Sequence, residues 1–208
     1  MEAALPELAA GLSRGSPIAP AVADLDAAKE TLLTELREHA LIIGEVTLSS
    51  GRKADYYVDA RRALLRPVGF RAAGELIAAA ATEAGASAVG GPVMAAIPLA
   101  CAAIAVPAGA ELVGFFVRRE RKEHGLQRWI EGPVERGTRC LVVEDTVTTG
   151  GSTADAIERV REEGVEVAGV LSVVDRLAGG GERIEAAAQA PYRALITIDE
   201  LYPERPDR

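Results

Sequence analysis

Short apolar segments alternate with helix-like segments from Val68 onward, and this alternation constrains the fold more than any other feature of the sequence. The segments that we predict as strands are ASAVGG, ELVGFFV, RCLVVED, VEVAGVLSVVD and RALITI. The segments that we predict as helices are GFRAAGELIAAAATEAG, MAAIPLACAAIA and STADAIERVREEG. Because strands rich in Val, Ile and Leu that are separated by helices form parallel sheets, we predict an α/β fold with a parallel sheet flanked by helices. Ligands bind such sheets at the carboxyl ends of the strands, so we expect functional residues there.

Three regions are predicted along the chain. Residues 1–20 are rich in Ala, Pro and Gly without a sustained period, which predicts a mobile tail. Residues 21–66 contain a helical pattern over 24–42 after a capping Asp24, and then an alternating pattern around a Ser-Gly turn. These patterns predict an N-terminal helix and a hairpin, which together form a small N-terminal hood. Residues 67–208 form the α/β core.

The composition limits the classes of ligand. The chain has 208 residues and a formal net charge of -8, with a pI near 5.0. An acidic chain repels a polyanion except where basic residues are concentrated locally, so we expect no nucleic-acid partner. An anionic small molecule would need a dedicated cationic patch.

The cysteines and the amino terminus predict a cytoplasmic protein. Cys101 and Cys140 lie in apolar segments at a spacing that matches no metal site or disulfide framework, so we predict two buried free thiols. The amino terminus lacks a basic region followed by an apolar region. The apolar stretch at 91–109 is interrupted by Pro98 and Pro107, and we interpret it as a buried helix rather than a membrane span.

The segment VEDTVTTGGST, residues 143–153, carries the most specific chemistry. A predicted strand ends in Glu144 and Asp145, whose carboxylates can accept hydrogen bonds from vicinal hydroxyls. The Thr, Gly and Ser residues that follow offer N–H groups and hydroxyls to an anion at the start of a helix. The loop lacks the Lys of a P-loop, which disfavours triphosphate hydrolysis. A site for a diol and a monophosphate together indicates a ribose 5-phosphate as the ligand. The alternative interpretation is a strand-to-helix turn with a capping Ser or Thr, in which the acids have no function.

LVVEDTVTTGGST resembles the phosphoribosyl pyrophosphate (PRPP) signature of type I phosphoribosyltransferases. The resemblance implies their fold, contacts between the acid pair and the ribose hydroxyls, and a turn that holds the 5-phosphate. It assigns PRPP binding to Glu144, Asp145, Thr146, Val147, Thr148, Thr149, Gly150, Gly151 and Ser152. It also implies Mg²⁺ as the cofactor, which we expect to be held mainly by PRPP and water.

The segment FFVRRERKEHG concentrates basic residues directly after a predicted strand. A cationic lid there would stabilise the charge on a departing pyrophosphate and exclude water. A solvated surface loop is the alternative, because Glu120 and Glu123 are interspersed.

This basic segment resembles the mobile loop of orotate phosphoribosyltransferases. The resemblance implies PRPP binding by Arg118, Arg119, Lys122 and His124. It also implies catalytic roles for Lys122 and His124, in addition to Asp145. In the family the loop reaches into the neighbouring subunit, so the resemblance further implies a homodimer.

Two more segments concern the base that accepts the ribose. SVVDRLAGGGE places Arg176 just past a predicted strand, where a guanidinium can pair with the carboxylate that distinguishes orotate from uracil. Taken alone, such an Arg is commonly a surface ion-pairing residue. The family resemblance implies that Arg176 and Thr148 bind orotate. TLSSGRKADYYVDARR resembles the hood segment over the base, where Tyr56 and Tyr57 would form an aromatic wall.

The chain departs from the family at two places. Many members have a Lys where this chain has Ser49, and many have Tyr-Lys where this chain has Met94 and Ala95. Fewer cations should weaken the binding of PRPP or leave more of the charge to Mg²⁺ and the lid.

These features predict a Mg²⁺-dependent transfer of the phosphoribosyl group from PRPP to N1 of orotate, which gives orotidine 5'-phosphate and pyrophosphate in pyrimidine biosynthesis. A transferase for a purine or for uracil would share the PRPP turn but would have little use for Arg176. A regulator that senses PRPP without catalysis is an alternative from another class, and it should display a basic face beyond the lid.

Overall fold

The computed structural model describes residues 24–47, 53–121 and 128–208. The predicted mobile tail, residues 1–20, lies outside the described residues, as does the predicted hairpin turn at 48–52. In the described part of the chain, no helix is long and apolar enough to cross a membrane.

The N-terminal elements are a helix and two antiparallel strands: α1 (Leu25–Glu35), β1 (Leu41–Thr47) and β2 (Lys53–Val58). The Asp24 side chain accepts a hydrogen bond from the Ala27 N–H at 3.1 Å, so the predicted cap of α1 is confirmed. The prediction of a helix as far as residue 42 was too long. The chain passes through one π-helical turn and extends at Leu41, which pairs with Val58.

The remaining elements include the helices and strands predicted from Val68 onward and four short or irregular elements that were not predicted, which are the second, sixth and seventh helices and the fifth strand. They are α2 (Arg61–Leu64), α3 (Pro67–Glu83), β3 (Ala88–Pro92), α4 (Ala96–Ala105), β4 (Val113–Val117), β5 (Ile130–Glu131), β6 (Arg139–Val147), α5 (Gly151–Glu162), β7 (Glu166–Asp175), α6 (Gly180–Ala188), β8 (Tyr192–Thr197) and α7 (Ile198–Leu201). Strand β6 runs two residues beyond its predicted end, so the loop before α5 is only three residues long.

The main sheet has the strand order β5-β4-β3-β6-β7-β8. Its neighbouring strands are parallel except β4 and the short edge strand β5, which are antiparallel. After β3 the chain continues to β4 on one side, whereas β6 leads to β7 and β8 on the other side. The prediction of a parallel sheet is therefore confirmed, and its switch point lies between β3 and β6, where open α/β sheets bind their ligands.

Strand β6 illustrates how the sheet separates two apolar layers. Leu141 and Val143 pack into one buried cluster with α1, α3 and α4, whereas Cys140 and Val142 pack into another with α5 and α6. Because successive side chains of a strand point to opposite faces, this alternation carries on into the acid pair at the end of β6.

Two further predictions differ from the structure. Helix α6 was not predicted, because its sequence begins with glycines that usually interrupt helices. Cys140 is buried as predicted, but Cys101 is exposed. Cys101 lies on the outer face of α4, whose sequence is apolar on all sides and therefore does not show which face is buried.

Candidate active site

A cavity of about 900 Å³ opens at the switch point between β3 and β6. The segments that line it include the end of the hood hairpin, the loop after β3, the end of β6, the start of α5 and the residue after β7. The lining residues are Tyr57, Val58, Asp59, Ala60, Arg61, Leu65, Pro92, Val93, Met94, Ala95, Ile97, Pro98, Val117, Arg119, Glu144, Asp145, Thr146, Thr148, Ser152, Asp155, Arg159 and Arg176.

The turn between β6 and α5 forms one end of this cavity. Gly150 has the left-handed backbone angles φ 70° and ψ 5°, which glycine adopts at little cost. A Cβ at Gly150 would lie 2.6 Å from the Gly180 carbonyl oxygen, so the turn is packed tightly against the start of α6. The turn is followed directly by the 12-residue helix α5, whose N-terminus favours the binding of an anion.

Only some of the residues that were predicted to bind PRPP line the cavity. The cavity is lined by Glu144, Asp145, Thr146, Thr148 and Ser152. The Val147 side chain is instead buried in the core next to α6. Thr149, Gly150 and Gly151 complete the turn without being among the lining residues.

The two carboxylates of the acid pair have different hydrogen-bond partners. Glu144 is only 5% exposed and accepts hydrogen bonds from the hydroxyls of Thr153 at 3.1 Å and Ser152 at 3.4 Å, on α5. Asp145 is partly buried and accepts a hydrogen bond from the Thr146 N–H at 2.6 Å. Glu144 is therefore held by the helix that follows the turn, whereas Asp145 faces the hood.

Burial controls the protonation of both acids. Loss of hydration raises the pKa of Glu144 to about 7, and the neighbouring charge of Asp145 acts in the same direction. Burial also raises the pKa of Asp145, although the Thr146 N–H and the positive charge of Arg61 oppose this shift. A cation or a hydroxyl donor that enters the cavity would therefore favour the ionised form of each acid.

Four charged residues of the lining were missed by the sequence analysis: Asp59, Arg61, Asp155 and Arg159. Arg61 pairs with Asp59 at 2.9 Å, and hydrogen bonding and attraction to that carboxylate raise the pKa of Arg61, with a smaller contribution from Asp145. Asp155 and Arg159 follow Ser152 by three and seven residues, the spacing of one helix face. That spacing in the predicted helix α5 was a signal that would have found them.

In the described part of the basic segment, Arg118 and Arg119 have different surroundings. Arg119 is exposed and lines the cavity. The Arg118 side chain instead pairs with Glu131 at 3.2 Å and borders a neighbouring cavity of about 420 Å³. The predicted catalytic residues Lys122 and His124 lie outside the described residues.

Trp129, which follows residues 122–127, contacts α5. The Arg121 and Arg159 Cζ atoms lie 5.3 and 4.5 Å from the centroid of its ring. The indole N–H donates to the Glu162 carboxylate at 2.8 Å, and the Trp129 carbonyl accepts from the Arg118 N–H at 2.9 Å. The described residues on either side of 122–127 are therefore held together beside the helix that follows the PRPP turn.

Arg176 lies immediately after β7 and is one of the residues that line the cavity. Its backbone N–H donates to the Val147 carbonyl at 2.9 Å, and the Asp175 carboxylate accepts the Leu177 N–H at 2.8 Å. The Arg176 Nε is buried and has no hydrogen-bond partner among the described residues. The structure thus brings Arg176 and Thr148 to one cavity, as the sequence analysis predicted.

The hood contributes its two tyrosines differently. Tyr57 lines the cavity, whereas Tyr56 is buried and its ring lies 5.3 Å from the Arg176 Cζ. Met94 and Ala95 line the cavity at the place where many family members carry Tyr-Lys, and Met94 is 77% exposed. Ser49 lies outside the described residues.

Comparison with known proteins agrees with this geometry. The phosphoribosyl transferase domain family matches residues 71–189, which include the PRPP turn and Arg176. A parallel sheet with this turn at its switch point defines a type I phosphoribosyltransferase fold.

Individual relatives identify the kind of phosphoribosyltransferase that this chain resembles. The orotate phosphoribosyltransferase of Streptomyces avermitilis is 46% identical over 179 residues, which cover 85% of this chain and 98% of that protein. A crystal structure of Mycobacterium tuberculosis orotate phosphoribosyltransferase with Fe(III) dicitrate is similar with a TM-score of 0.77 at 42% identity, covering 84% of this chain and 99% of that chain. A structure of the same enzyme with PRPP is similar with a TM-score of 0.72 at 38% identity, covering 84% and 98%. The chain therefore belongs to the orotate phosphoribosyltransferase family.

Proposed function

We propose that this protein transfers the phosphoribosyl group of PRPP to N1 of orotate in pyrimidine biosynthesis, and that it does so with Mg²⁺ as a homodimer in the cytoplasm. The observation that carries the proposal is the position of Arg176. Its guanidinium lines the same cavity as the PRPP turn and the acid pair. A cavity that combines a phosphate turn, a pair of acids and an arginine fits a phosphorylated sugar and an anionic base together.

The phosphoribosyl group would occupy the end of the cavity formed by the turn. The 5-phosphate would bind the turn between Thr146 and Ser152, where the start of α5 favours negative charge. The ribose hydroxyls would donate to Glu144 and Asp145. Support for this assignment comes from the burial of both acids, because buried carboxylates gain more from hydroxyl donors than exposed ones.

The base would occupy the end of the cavity formed by Tyr57 and Arg176. Orotate differs from uracil by a carboxylate, which a guanidinium can bind through two parallel hydrogen bonds. The buried Arg176 Nε has no hydrogen-bond partner among the described residues, so a carboxylate would supply one. The Thr148 hydroxyl lies in the same lining and would contact the base as well.

The reaction breaks the bond between ribose C1 and the pyrophosphate oxygen and forms the bond between C1 and N1 of orotate. Negative charge develops on the departing pyrophosphate, so cations beside it lower the barrier. Arg119 and Arg159 line the cavity and are suited to this role. We assign further charge stabilisation to Arg118, Lys122 and His124, on the basis of the family resemblance of the basic segment.

Mg²⁺ fits the chemistry of this lining. Mg²⁺ binds through few protein carboxylates and retains water, with substrate phosphates as the other ligands. Asp145 is a carboxylate of the lining that a Mg²⁺ ion on PRPP could approach. When bound, the ion would neutralise charge on the pyrophosphate.

Exposed apolar side chains support the proposed homodimer. Leu65 and Met94 both line the cavity and are 66% and 77% exposed, respectively. Exposed apolar groups beside polar residues are typical of surfaces that another chain covers. The proposed cytoplasmic location is supported by the free thiols of Cys101 and Cys140.

The proposed reaction is tested by following the loss of orotate absorbance with PRPP and Mg²⁺, with orotidine 5'-phosphate and pyrophosphate quantified in the same samples. We expect both products in equal amounts and no reaction after chelation of Mg²⁺. Unequal products or full activity in the chelator would contradict the transfer or the metal requirement, respectively.

The proposed sharing of the basic segment between subunits is tested by mixing two inactive variants, Lys122→Ala and Arg176→Ala. If each site takes Lys122 from one subunit and Arg176 from the other, the mixed dimers contain one intact site, and activity returns to about one quarter of wild type. If each site is built from a single subunit, a mixed dimer has no intact site and activity does not return.

A further inference from the structure

Tyr56 connects Arg176 to the end of the chain. The ring of Tyr56 is 3% exposed, and the Arg176 Cζ lies 5.3 Å from its centroid, within the range of a cation–π contact. The Arg176 Nε has no hydrogen-bond partner among the described residues, so the ring is a main determinant of where the guanidinium lies.

Two residues from the end of the chain contact the ring of Tyr56. Tyr202 meets it edge to face, with the ring centroids 5.5 Å apart and the planes at 82°. The Tyr56 hydroxyl donates to the Asp207 carboxylate at 3.1 Å. We call residues 202–208 the C-terminal brace.

The C-terminal brace is itself anchored to the core. Arg205 pairs with Asp207 at 3.2 Å and also with Asp199, which belongs to α7. Helix α7 begins in a capping box formed by Thr197 and Glu200. The brace therefore extends from a fixed point at the end of β8, and its position at Tyr56 is determined by ion pairs and hydrogen bonds.

We propose that the C-terminal brace positions Arg176 through Tyr56 and so sets the affinity for the base without touching it. This inference rests on the proposed function, because it takes Arg176 as the ligand of the orotate carboxylate. Tyr56 and Asp207 are positioning residues in this account. Loss of the brace should raise the KM for orotate, whereas the KM for PRPP should be unaffected.

The test compares Tyr56→Phe and Asp207→Ala with wild type, and Glu204→Ala serves as the matched control because it removes the same charge from an exposed position in the same segment. The measurements are the KM for orotate, the KM for PRPP, kcat and the melting temperature. Both variants should raise the KM for orotate about three- to tenfold, because each removes one hydrogen bond to a charged group. The KM for PRPP and kcat should change less than about twofold, and Glu204→Ala should resemble wild type.

The double variant, Tyr56→Phe with Asp207→Ala, tests whether the two residues act through the same contact. Tyr56→Phe removes the bond to the Asp207 carboxylate, and Asp207→Ala removes that bond together with the Arg205 pair, so the double variant should be no worse than Asp207→Ala alone. An unchanged KM for orotate in both single variants, or parallel changes of both KM values, overturns the inference. Failure of the wild type to consume orotate overturns the proposed function as well, so the two failures are distinguishable. Asp207 is exposed, so Asp207→Ala decides the question even if Tyr56→Phe is poorly folded.

Discussion

The two parts of the cavity lining that we assign to the ribose phosphate and to the base are built in different ways. The phosphate end is a short backbone turn, in which Gly150 packs so closely against Gly180 that a side chain would meet a carbonyl oxygen. The base end is made of side chains, chiefly those of Tyr57 and Arg176, which come from the hood and from the end of β7. We infer that binding of the ribose phosphate depends mainly on the backbone of the turn. The choice of base depends instead on individual side chains, each of which can be changed by a single substitution.

The largest effect is expected from Arg176→Ala at the base end. Removing the guanidinium should lower kcat/KM for orotate by about 100-fold or more, because a buried carboxylate would lose its charged partner. The KM for PRPP should stay within about threefold of wild type, since the turn is untouched. Arg176→Lys should be intermediate, because it keeps the charge but not the paired hydrogen bonds. Steady-state kinetics with each substrate varied measure these changes, and equal orotate kinetics in wild type and Arg176→Ala would remove the basis for the assignment.

The next effect concerns the phosphate end. Gly150→Ala should raise the KM for PRPP by about tenfold and lower stability by about 2 kcal/mol more than the control, because the new Cβ would meet the Gly180 oxygen. Gly85→Ala is the matched control, because Gly85 also has a positive φ, of 64°, but has open space around its Cβ position. Thermal unfolding and PRPP kinetics compare the two variants. Equal behaviour of both would show that the close approach at Gly150 is not required.

A pH dependence of PRPP binding is expected from Glu144. Its pKa of about 7 means that the carboxylate becomes protonated below neutral pH, so the KM for PRPP should rise by up to about tenfold between pH 8 and pH 6. Glu144→Gln cannot titrate and should show only the pH dependence of PRPP itself. A wild-type profile parallel to that of Glu144→Gln would contradict this role.

The same group predicts a pH dependence of stability with a defined sign. Folding raises the pKa of Glu144 from about 4.5 to about 7, so the folded state binds more protons between these values and loses stability as the pH rises through this window. Relative to Glu144→Gln, the wild type should therefore lose on the order of 3 kcal/mol between pH 4 and pH 8. Chemical denaturation of both proteins across this range measures the difference.

The smallest effect is expected where a cation is held by a half-buried acid at the sheet edge. Glu131→Gln weakens the ion pair that holds Arg118 and should lower the KM for PRPP about twofold at low salt, with less effect at high salt. Glu135→Gln removes the same charge from an exposed residue outside the cavity lining and serves as the control. Identical shifts in both variants would indicate a general effect of net charge rather than release of Arg118.

The sequence predicted the features that depend on local pattern. The alternation of apolar segments and helices predicted the parallel sheet, because burial on both faces imposes that pattern directly. The family resemblance implied that Thr148 and Arg176 share a site, and parallel strands deliver their carboxyl ends to one edge of a sheet. Both lie in the same cavity.

The features that the sequence did not predict depend on contacts between distant segments. Tyr56 and Asp207 are 151 residues apart, and no period or motif indicates that they meet. The glycines before α6 suggested an irregular turn, but Gly180 is small because the PRPP turn packs against it. The exposure of Cys101 was unpredictable because α4 is apolar on every side.

The most direct test of the central claim is a comparison of orotate with uracil as the acceptor for wild-type protein, with PRPP and Mg²⁺ present. If the cavity joins a phosphate turn to a carboxylate-binding arginine, kcat/KM for orotate should exceed that for uracil by about 1,000-fold or more, since uracil leaves the buried Nε of Arg176 without a partner. Comparable use of uracil, or consumption of a purine base in place of orotate, would contradict the account.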